Sequence, residues 1–306
     1  MESIGFIGIG KMGRWMAEHL LNAGYCLTVY DTNQDATNDL QEKGALIAPS
    51  IFDLGKENKV VITMLPNSKI VESVVTGEDG LLSSMNPGGL IIDMSSSYVF
   101  LTKTLAEKLA NTGLTLIDAP VSGGVKGAKA GTLTIMVGAK REYYEKALPI
   151  LRCMGENIML VGETGSGHAL KAINNYLSAA SLYATTEAMI LAKKLGIDLS
   201  VALEAINHSS GRSFSTQFKF PTFIVPRSFN SGFSLDLLLK DVKMVTSIAK
   251  DSKVPIFLAS TVEQVYEAAS ITGEEDQDHT EIIKFLEKIT NKSLIESKEL
   301  ECEQQV

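Results

Sequence analysis

The sequence predicts an α/β protein: a doubly wound N-terminal domain followed by an all-α C-terminal domain. Three observations carry this expectation. Short apolar runs alternate with helical periodicity through the first half, the pattern of βαβ units. The first apolar run breaks into glycines spaced G-x-G-x-x-G. After "GETGSG" (residues 162–167) strand signals become rare and long helical patterns take over. A length of 306 residues suits two domains more often than one.

The first strand is the apolar run Ile4 to Ile7, right for a buried parallel strand. It enters Gly8, Gly10 and Gly13, then a helical pattern ending at Gly24. A second strand, "CLTVYD", ends at Asp31. Alone, G-x-G-x-x-G is weak evidence. In the order strand, glycines, helix, strand, acid it marks a Rossmann dinucleotide site. The first glycine allows the tight turn, the second lets the backbone approach a pyrophosphate, and the third lets helix and strand pack closely. The helix N-terminus offers N–H groups to the phosphates. Asp31 is placed to accept hydrogen bonds from ribose hydroxyls and would repel a 2′-phosphate. Thr32, not Arg, follows it, which favours NAD over NADP.

Further strands are expected over residues 59–65, 88–96, 114–120 and 132–139, with a helix over 101–110 among the intervening helical patterns. Ligands of such sheets bind beyond the carboxyl ends of the strands. The candidates there are Met64, Leu65, Pro66 and Asn67, then Ser95 and Ser96, then Ser122, Gly123 and Gly124.

Helices are expected over residues 169–195, 199–207, 237–250, 256–269 and 279–290, punctuated by Pro221, Pro226 and Pro255. The expected domains are therefore 1–164 for NAD binding, 165–295 for substrate and oligomer contacts, and 296–306 as a polar tail. The first long helix starts where the chain leaves the sheet, so its N-terminal end is expected at a cleft between the domains. It is largely apolar yet carries Lys171, Asn174 and Asn175. Buried polar groups need partners. Lys171 and Asn175 are four apart and share a helix face. A lysine with a lowered pKa can take the proton of a hydroxyl as its hydride leaves. From spacing alone, however, a solvated surface lysine is the commoner reading.

A net charge of −8 argues against nucleic acid as a partner. Cys26, Cys153 and Cys302 are dispersed and form no metal or disulfide pattern. No secretory signal and no membrane span are read, so the expectation is a cytoplasmic protein, or one whose targeting segment is absent from this sequence.

At this point the chain resembles the β-hydroxyacid dehydrogenase family. "GFIGIGKMG" is similar to the family's cofactor motif, which adds Ile9, Lys11 and Met12 to the glycines. "DAPVSGGVKGAKAGTLTIMVGA" is similar to its substrate signature, "GSGHALKAINN" to its catalytic motif, and "LLLKDV" to its lysine–aspartate motif. The resemblance implies Lys171 as general acid/base and Asn175 as a substrate-orienting residue. It implies that Ser122, Gly123 and Gly124 bind the substrate carboxylate, and that Ser96 stands near the nicotinamide ribose. It implies that Lys240 reaches over cofactor and substrate, and that the protein is a homodimer or homotetramer. No metal is implied. The chain departs from the family after Ser95-Ser96, where "SYVF" lacks the usual proline, which puts that loop's shape in question. His168, three residues before Lys171, has the spacing of 6-phosphogluconate dehydrogenases, but Asn174-Asn175 replaces their His-Asn. Arg212, in "SSGRSFS", has two readings of equal weight: it holds a second carboxylate of the substrate, or it serves as a helix cap or inter-subunit ion pair. The phenylalanines of "FKFPTF" line a pocket or, more commonly, fill core. The implied activity is NAD-dependent oxidation of a small 3-hydroxy acid. The alternatives are an NADPH-preferring semialdehyde reductase and a catalytically silent dinucleotide-binding scaffold.

Overall fold

The computed structural model describes residues 3–294. Cys302 and the tail expected at 296–306 lie outside the described residues. The chain divides into two compact units, Met1–Lys171 and Ala172–Val306. The division falls within the 29-residue helix Ser166–Lys194.

The first unit is built on nine strands: β1 (Ser3–Ile7), β2 (Cys26–Tyr30), β3 (Leu46–Ile47), β4 (Val60–Thr63), β5 (Leu90–Asp93), β6 (Thr115–Asp118), β7 (Val121–Ser122), β8 (Leu133–Gly138) and β9 (Gly155–Gly162). The order β3-β2-β1-β4-β5-β6 is parallel throughout. This is the Rossmann order, and the winding reverses between β1 and β4. Residues alternate between two buried clusters: Ile4, Phe6, Ile62 and Ile92 point to one, Ile7, Val61 and Ile91 to the other. Both faces of the sheet are thus covered, as near-continuous apolar strands require.

The strand expected over 114–120 is part of a longer one. β8 runs antiparallel to β6 and β7 with partners Asp118↔Gly138, Val121↔Ile135 and Ser122↔Thr134. These pairs keep one register, so β6 and β7 are one strand interrupted at Ala119-Pro120. Pro120 has no N–H to give, but its carbonyl still accepts the Met136 N–H at 3.1 Å. β9, parallel to β8, is absent from the sequence reading, because Glu156 and Asn157 stand where an apolar run would begin.

The second unit is helical. After Ser166–Lys194 come Leu199–Asn207, Leu235–Asp251, Phe257–Thr272 and Ile282–Thr290. Their core includes Leu182, Phe220, Ile224, Leu238, Val242 and Tyr266. The segment around Pro221, read from sequence as punctuation, is a π-helix, Ser215–Ile224. Its wider winding shows in the Val225 N–H bonding the Phe220 carbonyl at 2.8 Å. Phe220 is core, whereas Phe214 and Phe218 are exposed.

Among the described residues of this unit is a buried cation. Lys219 is 5% exposed, and its Nζ donates to Ser178 Oγ at 2.7 Å. Burial lowers its pKa from the ordinary 10.5 to about 8, although the Asp278 charge opposes the shift. Burial and the Lys219 charge together push His279 down to about 4. Between about pH 8 and 10.5 the unfolded chain therefore holds more protons at residue 219 than the folded one. Stability should rise with pH across that window. Urea midpoints of the wild type and of Lys219→Met, taken at several pH values from 7.5 to 10, test this. The wild type should gain on the variant as pH rises, and parallel curves would refute the buried-lysine account.

Candidate active site

The turn after β1 is shaped by collisions that glycine avoids. Gly8 has φ +100°, and a Cβ there would lie 2.3 Å from the Met64 carbonyl oxygen. A Cβ on Gly13 would lie 1.9 Å from the Gly8 carbonyl oxygen. Gly10 differs: a Cβ would meet nothing within 4 Å. The fold itself does not demand a glycine at residue 10, and the backbone there is open to close approach. The helix Gly13–Asn22 begins with no acidic residue in its first turn and no side-chain bond at Met12, its N-cap. Lys11 is exposed and Ile9 is buried. Asp31 stands across the turn. Its Oδ2 accepts the Ile9 N–H at 2.6 Å and its Oδ1 accepts the Asn33 N–H at 2.8 Å. Open space at Gly10, a helix start free of acidic side chains and a carboxylate beside them fit a dinucleotide.

The neighbouring strand ends complete this edge. The Met64 N–H donates to the Ile7 carbonyl at 2.9 Å, and the Leu65 N–H to Ser95 Oγ at 2.8 Å. Ser96 follows, half-buried. The loop that lacks the family's proline still starts the helix Val99–Ala110, with the Tyr98 N–H donating to Ser68 Oγ at 2.7 Å. Ser122 is half-buried at the end of β7. Gly123 and Gly124 are exposed, with φ of +130° and +60° that a side chain would resist. Lys171 is half-buried on the helix Ser166–Lys194.

In the helical unit the structure joins Asn175 to the aspartate of the lysine–aspartate motif, to which the sequence assigned no role. Asp241 is 1% exposed. Its Oδ2 accepts Asn175 Nδ2 at 2.5 Å, and its Oδ1 lies 3.8 Å from Lys240 Nζ. Asn175 Oδ1 accepts from Asn174 Nδ2 at 3.2 Å. Asp241 therefore holds the Asn175 amide and sets its charge near the Lys240 ammonium. The signal for it was a carboxylate directly after Lys240 in an otherwise apolar "LLLKDV". Arg212 is not drawn into this cluster. It is exposed, and among the described residues no hydrogen bond or ion pair ties its guanidinium to Asn175 or Asp241, and none makes it a helix cap.

Comparison with known proteins agrees with this geometry. A family profile described as the NAD binding domain of 6-phosphogluconate dehydrogenase matches residues 3–162. One described as NAD-binding of NADP-dependent 3-hydroxyisobutyrate dehydrogenase matches residues 165–286. The 2-(hydroxymethyl)glutarate dehydrogenase of Eubacterium barkeri is 37% identical over 291 residues, covering 95% of this chain and 97% of that one. The chain belongs to the β-hydroxyacid dehydrogenase family. The human mitochondrial 3-hydroxyisobutyrate dehydrogenase is 36% identical, over 92% of this chain and 86% of its own. The Mycobacterium tuberculosis 3-hydroxyisobutyrate dehydrogenase, solved with L-serine, superposes with a TM-score of 0.88 at 31% identity, over 94% of this chain and 99% of that one. This β-hydroxyacid dehydrogenase family member is a nicotinamide-dependent oxidoreductase. Among its described residues no helix is long and apolar enough to cross a membrane.

Two glycine substitutions separate folding from binding. Gly13→Ala forces a methyl against the Gly8 carbonyl, and overpacking of this kind costs about 1–3 kcal/mol, so its melting temperature should fall. Gly10→Ala has room for its methyl and should melt like the wild type, yet bind NADH at least about tenfold more weakly if a pyrophosphate approaches there. Equal NADH affinity for Gly10→Ala and the wild type, by fluorescence titration, would remove Gly10 from the cofactor site.

Proposed function

We propose that this chain oxidises a small 3-hydroxy acid with NAD, using Lys171 as the general base, and runs the reverse reduction with Lys171 as the acid. The observation that carries the reading is the helix Ser166–Lys194, which sets Lys171 and Asn175 one turn apart, with Asn175 held by the buried Asp241. Bound NAD supplies the hydride acceptor. Neutral Lys171 takes the proton of the substrate hydroxyl as the carbinol hydride departs, and its ammonium returns that proton in the other direction. Asn175 uses its second N–H to orient the hydroxyl. Ser122 Oγ and the N–H groups of Gly123 and Gly124 hold the carboxylate. Gly8, Gly10 and Gly13 with Ile9, Lys11 and Met12 form the pyrophosphate turn, Met64, Leu65 and Ser96 flank the nicotinamide side, and Lys240 covers it.

NAD is favoured over NADP because the Asp31 carboxylate is fixed beside the turn by two N–H groups, where a 2′-phosphate would meet its charge. L-serine, present in the M. tuberculosis relative, has a carboxylate and a C3 hydroxyl, the layout this reading requires. In this reading the residues from 1 to 164 bind the cofactor and supply the carboxylate-binding loop, and those from 165 to 295 supply the acid/base and substrate-orienting side chains and build a homodimer or homotetramer. Support for assembly comes from Leu170, Ile173 and Leu177, which leave an exposed apolar stripe at 37%, 43% and 60% exposure along one helix. The compartment proposed is the cytoplasm; the human relative is named mitochondrial.

The test is NADH formation with 3-hydroxyisobutyrate, 3-hydroxypropionate, L-serine and 2-(hydroxymethyl)glutarate, each with NAD and with NADP. The wild type should use NAD and at least one of these acids. Lys171→Ala should lose about a hundredfold or more in turnover while binding NADH within about twofold. Undiminished turnover would overturn the assignment, and silence on every acid with NADH still bound would favour the scaffold. Arg212→Ala should lose activity on 2-(hydroxymethyl)glutarate alone if Arg212 grips a distal carboxylate. Equal losses on all acids, or none, place it outside the pocket.

A further inference from the structure

Asp118 ends β6 with its side chain fully buried. Its Oδ1 accepts the Gly165 N–H at 2.6 Å and its Oδ2 accepts the His168 N–H at 2.7 Å. These amides open the helix Ser166–Lys194, whose first turn lacks intrahelical partners for its N–H groups. The surrounding chain is shaped to admit a carboxylate. A Cβ on Gly138 would lie 2.3 Å from Asp118 Oδ1, and a Cβ on Gly167 would lie 2.8 Å from Oδ2 and 2.3 Å from the Met136 carbonyl oxygen. Both glycines thus have a reason that dinucleotide binding does not supply.

The His168 ring extends the same arrangement. Its Nε2–H donates to the Ser95 carbonyl at 3.1 Å, and its Nδ1 meets Thr102 Oγ1 at 2.9 Å. It lies between two buried carboxylates, 3.7 Å from Asp93 Oδ2 and 3.8 Å from Asp118 Oδ2. Asp93 in turn accepts from Thr63 Oγ1, Ser97 Oγ and the Ser95 N–H. Burial raises the Asp118 pKa, against the opposing pull of His168 and the N–H groups of Gly165 and His168.

We infer that Asp118 is a positioning residue for the reaction, fixing the start of the Lys171 helix against the strand that leads to Ser122, Gly123 and Gly124. The inference rests on Lys171 acting as proposed above. Counting from this one carboxylate, Lys171 lies three residues beyond the bonded His168 N–H, and Ser122 lies four residues along Asp118's own chain. The base and the carboxylate-binding loop therefore share one fixed reference point. Misplacement of a catalytic group by about 1 Å costs on the order of a hundredfold in rate. Asparagine at 118 keeps the shape but replaces one acceptor oxygen with an N–H₂ that opposes the Gly165 or His168 N–H.

A double-mutant cycle tests this with the full chain. Turnover, KM and NADH affinity are measured for the wild type, Asp118→Asn, Lys171→Ala and the double variant, with melting temperatures as a check on folding. Asp118→Asn should lower turnover about ten- to a hundredfold, with NADH affinity within about twofold. On the Lys171→Ala background the same change should cost less than about twofold, because it acts through the lysine. Equal losses on both backgrounds, or no loss in the wild type, would overturn the inference. If Lys171→Ala alone keeps full turnover, the acid/base assignment has failed, a pattern distinct from equal losses, and the positioning role falls with it. Should Asp118→Asn not fold, Thr102→Val replaces it. That variant removes the hydroxyl that meets His168 Nδ1 and the Tyr98 carbonyl, loosening the His168 ring on the same helix start, and is held to the same comparison, with an expected loss of about threefold or more confined to chains that retain Lys171.

Discussion

The Gly8 carbonyl oxygen leaves no room for a side chain on residue 13: a Cβ would sit 1.9 Å away. This contact sets how closely the first helix packs on β1, and so where its open N-terminus stands. It also brings Gly8 against the Met64 carbonyl, coupling the ends of β1 and β4 at the point where the winding reverses. Every proposed cofactor contact of the sheet unit is measured from that junction. Asp31 reaches back to it through the Ile9 N–H, and Leu65 passes the connection to Ser95.

Much of this was legible in the sequence because it rests on local rules. The glycine spacing, the apolar strands and the acid at the end of β2 each follow from backbone sterics or burial. Strand ends were read less well. Residues 59–65 contract to Val60–Thr63, and 88–96 to Leu90–Asp93: past single ladder bonds from the Met64 and Met94 N–H groups to the Ile7 and Thr63 carbonyls, the Leu65 and Ser95 N–H groups turn to the side chains of Ser95 and Asp93. β9 was missed since its faces differ in burial, with Glu156 and Asn157 exposed among otherwise apolar neighbours. The π-helix escaped notice because Pro221 ordinarily breaks a helix, whereas the wider i→i+5 winding carries it here.

Long-range polar pairing was the least legible part. The sequence offered Asn175, but its partner Asp241 lies 66 residues away. Asp118 looked like a member of a signature, and His168 like a marker of a related enzyme. Neither position advertises that the carboxylate of one holds the backbone of the other across 50 residues. Lys219 showed the same limit: nothing in "FKFPTF" separates a buried ammonium from a solvated one. Such pairs depend on which distant segments meet, and residue type alone does not carry that information.

The single register shared by β6 and β7 against β8 has a bearing on how this scaffold can diversify. Ser122 belongs to a hydrogen-bonded ladder rather than to a free loop, and side chains on a strand alternate in facing with every residue. One residue gained or lost between Asp118 and Ser122 would turn the hydroxyl to the opposite face and shift Gly123 and Gly124 with it. Insertions, the common route by which loops acquire new ligands, are closed here. New substrate preferences on this framework have to arise by substitution in place or in segments outside this strand.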